Sequence, residues 1–110
     1  TIHVPLTEET HRLFGEKEFM NMPKGSFIIN TSRGGIVDEK ELLKCLKNGH
    51  LGGAMLDVFE NEPLDDLNIF TNVDNLILTP HIAGLTCESN IRVSKTIAEK
   101  VIDCLMGEGQ

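Results

Sequence analysis

Asn30-Thr31-Ser32-Arg33-Gly34-Gly35-Ile36-Val37-Asp38 is the stretch whose reading decides the fold. The apolar run Phe27-Ile28-Ile29 leads into it, so Ser26 to Thr31 reads as a buried strand that stops abruptly. One cation, Arg33, stands where the backbone must turn, and Gly34 and Gly35 tolerate the positive φ of such a turn. Asp38 with Glu41 three residues later has the spacing of a capping box and opens a new helix. Strand, charged turn and helix thus follow in close succession. In open α/β sheets ligands bind outside the carboxyl ends of the strands, and that is where this order puts Arg33.

The same alternation continues on both sides. Upstream, Thr1 to Leu6 reads as the end of a strand stopped by Pro5. Thr7 is placed to cap a short helix through Leu13 and Phe14, and Gly15 breaks it. Glu16 to Met22 gives a further helical turn or two, and Pro23-Lys24-Gly25 a turn. Downstream, Leu42, Leu43 and Leu46 form the apolar stripe of the helix that Asn48-Gly49 ends. Leu51 to Val58 is the next strand, whose Gly52, Gly53 and Ala54 predict a close approach by another part of the chain. An acidic loop with Pro63 follows, then a short, fully buried strand over Asn75 to Thr79 closed by Pro80. Thr86 caps a long final helix from Cys87 to Met106, with Ile97, Ala98, Val101, Ile102 and Leu105 on one face and Gly107 as its stop. Alternating near-continuous apolar strands and helices predict an α/β fold, a doubly wound parallel sheet with helices on its faces. So few strands make only part of such a sheet, and the expected remainder lies on the N-terminal side.

Composition narrows the partners. The 110 residues allow at most one small domain. A net charge of −7 argues against a nucleic-acid backbone, which needs clustered Lys and Arg. No apolar run approaches the roughly 20 residues that cross a bilayer, so no membrane partner is expected. Cys45, Cys87 and Cys104 are odd in number and lack CxxC spacing, which predicts unpaired, core-filling thiols and a reducing, cytoplasmic setting. No metal site is expected.

If the strands are parallel, Arg33, Glu62 and His81 each follow a different strand end, and Asp57 closes the middle strand. These groups have complementary chemistry. A guanidinium can hold a substrate carboxylate in a bidentate pair. A histidine can move a proton near neutral pH, and a carboxylate beside it fixes its tautomer and favours its charged form. Each residue alone reads as structural or solvated; the case rests on all three sharing one sheet edge.

Three stretches then resemble the D-isomer-specific 2-hydroxyacid dehydrogenases, the family of phosphoglycerate, D-lactate and glycerate/hydroxypyruvate enzymes. They are the run from Ile29 to Asp38, Gly53-Ala54-Met55-Leu56-Asp57-Val58-Phe59-Glu60-Asn61-Glu62-Pro63, and Thr79-Pro80-His81-Ile82-Ala83-Gly84; the opening His3-Val4-Pro5-Leu6-Thr7 matches as well. The resemblance implies a partial Rossmann-like sheet, with residues 1–110 as the C-terminal half of a dinucleotide-binding domain. It implies an oxidoreductase moving a hydride between NAD(H) and a small D-2-hydroxy acid or 2-oxo acid, with NADP also compatible. Arg33 would bind the substrate carboxylate and polarise its C2 oxygen. His81 would be acid in reduction and base in oxidation, with Glu62 as its partner. Asp57 would meet the nicotinamide amide, and Val4, Thr31, Ser32, Arg33, His81, Ala83 and Gly84 would line the cofactor. Related formate dehydrogenases carry glutamine at the Glu62 position, so formate is disfavoured. A homodimer is implied for the whole protein.

The G-x-G-x-x-G turn and the acidic residue about 20 positions beyond it, which hold the pyrophosphate and ribose in such domains, are not in these residues. The chain is therefore expected to be inactive alone. An NAD(H)-sensing corepressor-like binding protein of the same fold is the alternative reading.

Overall fold

The computed structural model describes residues 1–64 and 66–107. The elements, in order, are α1 (Glu16–Asn21), β1 (Phe27–Asn30), α2 (Glu39–Lys47), β2 (Gly53–Leu56), a 3-10 turn (Leu67–Phe70), β3 (Leu76–Leu78) and α3 (Cys87–Met106). The three strands pair in parallel in the order β1-β2-β3. Ile2 adds one bridge outside β1, its N–H donating to the Ile29 carbonyl at 3.0 Å. This is the partial doubly wound sheet the alternation predicts.

Period-two side chains divide the sheet into two faces. Ile28, Ala54 and Leu56 point into a core shared with Phe19 of α1 and Leu42 and Leu46 of α2. The Asp38 carboxylate caps α2 by accepting the Glu41 N–H at 3.1 Å. Gly52 approaches the backbone as the small residues predict: a Cβ there would stand 2.4 Å from the Gly25 carbonyl oxygen.

Several expectations are corrected. The helix expected from Thr7 to Phe14 is a single turn, closed by the His11 N–H on the Thr7 carbonyl at 2.9 Å. Arg12 then takes φ 51°, and the backbone bonds to the glycine turn instead: Arg12 N–H to Gly35 O at 2.7 Å, Phe14 N–H to Ile36 O at 3.1 Å. β3 is not fully buried. Ile77 is 60% exposed because it lies on the sheet face that no described element covers, together with Phe27 at 71%. α3 has the predicted ends, with Thr86 Oγ1 accepting the Ser89 N–H at 3.0 Å and Gly107 at φ 81°. Its apolar face, however, is open, and none of its residues is buried. All three cysteines are free, but only Cys45 fills the core; Cys87 and Cys104 lie on α3 and are exposed. The molecule is accordingly elongated, 59 × 27 × 24 Å. No helix among the described residues is long and apolar enough to cross a membrane.

Candidate active site

Register places the chemistry. Asn30, Leu56 and Leu78 are aligned across the sheet. Asp57 therefore stands one residue past the aligned row, and Arg33 and His81 three residues past it, two strands apart. Strand spacing makes that roughly 10 Å of sheet width.

The Arg33 turn is built by Asn30, a buried amide at the last position of β1. Its Oδ1 accepts from the Ser32 N–H (3.1 Å) and hydroxyl (2.8 Å), and its Nδ2 donates to the Arg33 carbonyl (2.9 Å). This side chain satisfies three groups that the end of the strand would otherwise leave unpaired. Arg33 itself is exposed; its Nη1 donates to the Ser32 carbonyl at 2.6 Å, and among the described residues it makes no ion pair. Gly34 is required by contact, since a Cβ there would stand 1.7 Å from the Phe59 carbonyl oxygen. The Arg33 turn thus lies directly against the loop that follows β2.

That loop carries Glu62. Its Oε1 accepts the Phe59 N–H at 2.9 Å, and its Oε2 meets His81 Nδ1 at 2.6 Å. The His81 bond, then the Phe59 N–H, hold the Glu62 carboxyl below its usual range, against the opposing effect of burial. An ionised Glu62 has only acceptors, so Nδ1 must be the donor and Nε2 is left to face outward chemistry. An apolar cleft of about 460 Å³ adjoins the pair, lined by Phe59, Glu62, Pro63, Leu78, Pro80 and His81.

Asp57 fixes the segment on which His81 stands. It is 1% exposed. Oδ1 accepts from the Thr79 hydroxyl (2.5 Å) and the Ile82 N–H (2.9 Å), and Oδ2 from the Ala83 N–H (2.8 Å). Burial pushes this carboxyl up, but the Thr79 bond, the two N–H bonds and nearby His81 together carry it below its ordinary value. These bonds also hold His81 at φ 54°, a left-handed conformation that costs of order 1 kcal/mol or more and needs such support.

Of the residues singled out from the sequence, Glu62 and His81 are joined directly, and Asp57 is joined to Ala83 of the His81 loop. Thr31 and Ser32 lie half-buried on the Arg33 turn, and Val4 lies past the Ile2 bridge at the β1 side. Gly84 follows the anchored segment, with open space around its Cα. No hydrogen bond or ion pair among the described residues links Arg33 to Glu62 or His81; the Gly34–Phe59 contact and strand register bring them to one edge. Sequence reasoning missed Asn30 and Thr79 as builders of the site. An amide ending an apolar run, and a hydroxyl just before Pro80, were the available signals. The described residues contain no metal-ligand cluster.

Residues 1–83 match the model of the D-isomer-specific 2-hydroxyacid dehydrogenase NAD-binding domain. The chain belongs to the D-isomer-specific 2-hydroxyacid dehydrogenase family. It is 52% identical over 101 residues to an (S)-sulfolactate dehydrogenase of Chromohalobacter salexigens, covering 92% of this chain and 33% of that protein. It is 46% identical over 108 residues to a glyoxylate reductase of Thermofilum pendens, covering 98% and 32%. Among solved structures it superposes on the TT0316 protein of Thermus thermophilus with a TM-score of 0.89 at 36% identity, covering 97% of this chain and 34% of that one. A Lactobacillus delbrueckii family member in its NAD-complexed form gives 0.88 at 28% identity, covering 98% and 37%. One from Xanthobacter autotrophicus in complex with NADPH and MES gives 0.81 at 36%, covering 96% and 43%. The chain thus spans about a third of the length of the curated relatives it matches.

Proposed function

We propose that these residues are the C-terminal half of the dinucleotide domain of a D-2-hydroxyacid dehydrogenase, supplying its acid–base and carboxylate-binding groups. The observation that carries the reading is the Glu62–His81 hydrogen bond at 2.6 Å, which joins the loops after β2 and β3 beside the Asp57 anchor, at the same edge as an Arg33 that makes no ion pair among the described residues. Arg33 binds the substrate carboxylate and draws on the C2 oxygen. His81, with Nδ1–H committed to Glu62, gives its Nε2 proton to that oxygen in reduction and takes it back in oxidation. The nicotinamide, when bound, supplies or accepts the hydride at C2. The donor set suits that end of the cofactor: Asp57 has used three of about four acceptor sites, leaving one for a carboxamide N–H. Thr31, Ser32, Ala83, Gly84 and the Val4 backbone would line the same side. Family members described with NAD and with NADPH leave both compatible, and NAD is our assignment. A homodimer in the cytoplasm is the assembly and place we assign to the whole protein. Nothing observed favours the corepressor reading, since the relatives named are dehydrogenases and reductases.

The whole protein should oxidise NADH with one or more small 2-oxo acids, glyoxylate and sulfopyruvate first among them. His81→Ala should lower kcat by about 10²–10⁴-fold. Arg33→Ala should lower kcat/KM by about 10–100-fold, as loss of a charged hydrogen-bonded pair predicts. Wild-type turnover in both variants would refute the roles given. The 110 residues alone should show no NADH oxidation.

A further inference from the structure

Glu39, the first residue of α2, is 7% exposed and belongs to no element of the chemistry described so far. Its Oε1 accepts the Glu60 backbone N–H at 2.6 Å, across from the helix to the loop that carries Glu62. A carboxylate seldom sits so buried without a cationic partner touching it, because desolvation disfavours its charge. Here burial pushes its carboxyl up, the Glu60 N–H opposes that, and Glu60, Asp38 and Glu62 nearby add to the rise. Among the described ion pairs Arg12 is the arginine or lysine that joins this cluster, its Nη1 and Nη2 reaching Asp38 at 3.6 Å and Glu60 at 3.7 Å but not Glu39. What the burial achieves is therefore local: the loop is fastened at Glu60 by Glu39 and Arg12, and pressed at Phe59 onto Gly34. Two residues farther on, Glu62 turns back to accept the Phe59 N–H and meets His81.

We propose that Glu39 is a positioning residue for the reaction: by accepting the Glu60 N–H it docks the 58–62 loop on the Arg33 turn and so sets Glu62 against His81. This rests on the dehydrogenase reading given above. The chain of contacts makes the effect directional. Without the Glu39 acceptor the Glu60 N–H is unpaired: Val58 and Phe59 stay packed in the core, but beyond them the loop keeps only a half-exposed ion pair at Glu60, and such pairs hold little. Glu62 then loses its fixed distance to Nδ1, while Arg33, held by Asn30, keeps its place.

The test uses the whole protein with Glu39→Ala, Glu39→Asp and Glu39→Gln, and reads kcat and KM separately together with the 15N spectrum of His81. Gln keeps an acceptor at the same reach and should rescue; Asp falls short by one methylene and should not. Ala and Asp are expected to lower kcat about 10-fold per folded molecule, with KM for the 2-oxo acid within about two-fold. They should also move the pH profile of kcat, in which Glu62 and Asp57 face His81, and weaken the hydrogen-bonded Nδ1–H signal. If Ala does not fold, the Asp and Gln pair decides. Wild-type kcat, pH profile and Nδ1–H signal in Asp, with only a lowered Tm, would overturn the proposal. The 15N readout needs no turnover. A protein with no dehydrogenase activity, or with full activity in His81→Ala, would refute the functional reading while the positioning of His81 by Glu39 is still measured.

Discussion

At the scale of single residues the candidate site is held together by committed hydrogen-bond capacity. Asn30 spends its amide on the Arg33 turn, Asp57 spends three acceptor sites on the His81 loop, and Glu62 divides its two oxygens between Phe59 and His81. Each fixes a group that would otherwise sample several positions, and fixed geometry is what acid–base chemistry requires. The carboxyl shifts give pH dependences with opposite signs. Glu62 is lowered, so the stability it contributes is present above its ordinary value of 4.5 and is lost as pH falls through the lower folded value. Glu62→Gln should flatten the acid limb of a Tm-against-pH curve as pH falls below 4.5. Glu39 is raised, so its contribution is greatest below 4.5 and is lost as pH rises through its folded value. Glu39→Gln should therefore match or exceed wild-type Tm at pH 7, and the gap should close in acid. A Glu39→Gln protein that melts lower at pH 7 would contradict that sign. That Arg33, Glu62 and His81 lie beyond strand ends was legible from the sequence because Gly34-Gly35, Pro63 and Pro80 mark the turns there. Asn30, Thr79 and Glu39 were not: Asn30 folds back on Ser32 and Arg33, Thr79 bonds the Asp57 carboxylate and Glu39 the Glu60 N–H, both more than twenty residues away, in patterns no local spacing announces.

At the scale of elements, what matters is how turns and helix ends are joined. The Asp38 cap starts α2 directly after the Arg33 turn, so the helix fixes both the turn and Glu39. Asp38→Ala should cost about 1 kcal/mol, the usual worth of such a cap, seen as a lower midpoint in urea unfolding with unchanged slope. Gly34→Ala should cost more, because the added carbon would meet the Phe59 carbonyl and no rotamer can relieve a Cβ. Its expected signature is loss of the Glu62–His81 hydrogen bond together with stability, measured by the same His81 15N signal. The expected helix over Thr7–Phe14 failed for a related reason. Thr7 caps only the single turn, its Oγ1 accepting the Thr10 N–H at 3.3 Å, and Arg12 and Phe14 gain hydrogen bonds to Gly35 and Ile36 that a continuing helix would forfeit. Tertiary pairing overrode local propensity.

At the scale of the molecule the sheet is finished on one face and open on the other. Phe27, Ile29 and Ile77 stand exposed on the open face, and the apolar side of α3 is exposed through Leu105 at 80%. Apolar surface of this kind is sparse on stable monomers. The 110 residues by themselves should bind a hydrophobic dye such as ANS and associate with rising concentration in size-exclusion runs, despite a net charge of −7. A monodisperse monomer that leaves ANS dark would contradict this. The alternation of strand and helix made the sheet legible, and the amphipathic pattern made α3 legible. Whether α3 packs was not, since a stripe states that a face must be covered and not by what.

The sequence by itself determined the order of elements, the parallel sheet, the ends of α2 and α3, and the acid–base and carboxylate-binding candidates, because periodicity, caps and glycine turns are local properties of the chain. Only the tertiary structure decided that Glu62 reaches His81 rather than solvent, that Asp57 anchors the loop beneath it, and that Glu39 is buried against the Glu60 N–H. Those contacts depend on strand register and on one backbone lying within van der Waals reach of another at Gly34. Both are set by how the whole sheet closes, and no window of sequence contains them.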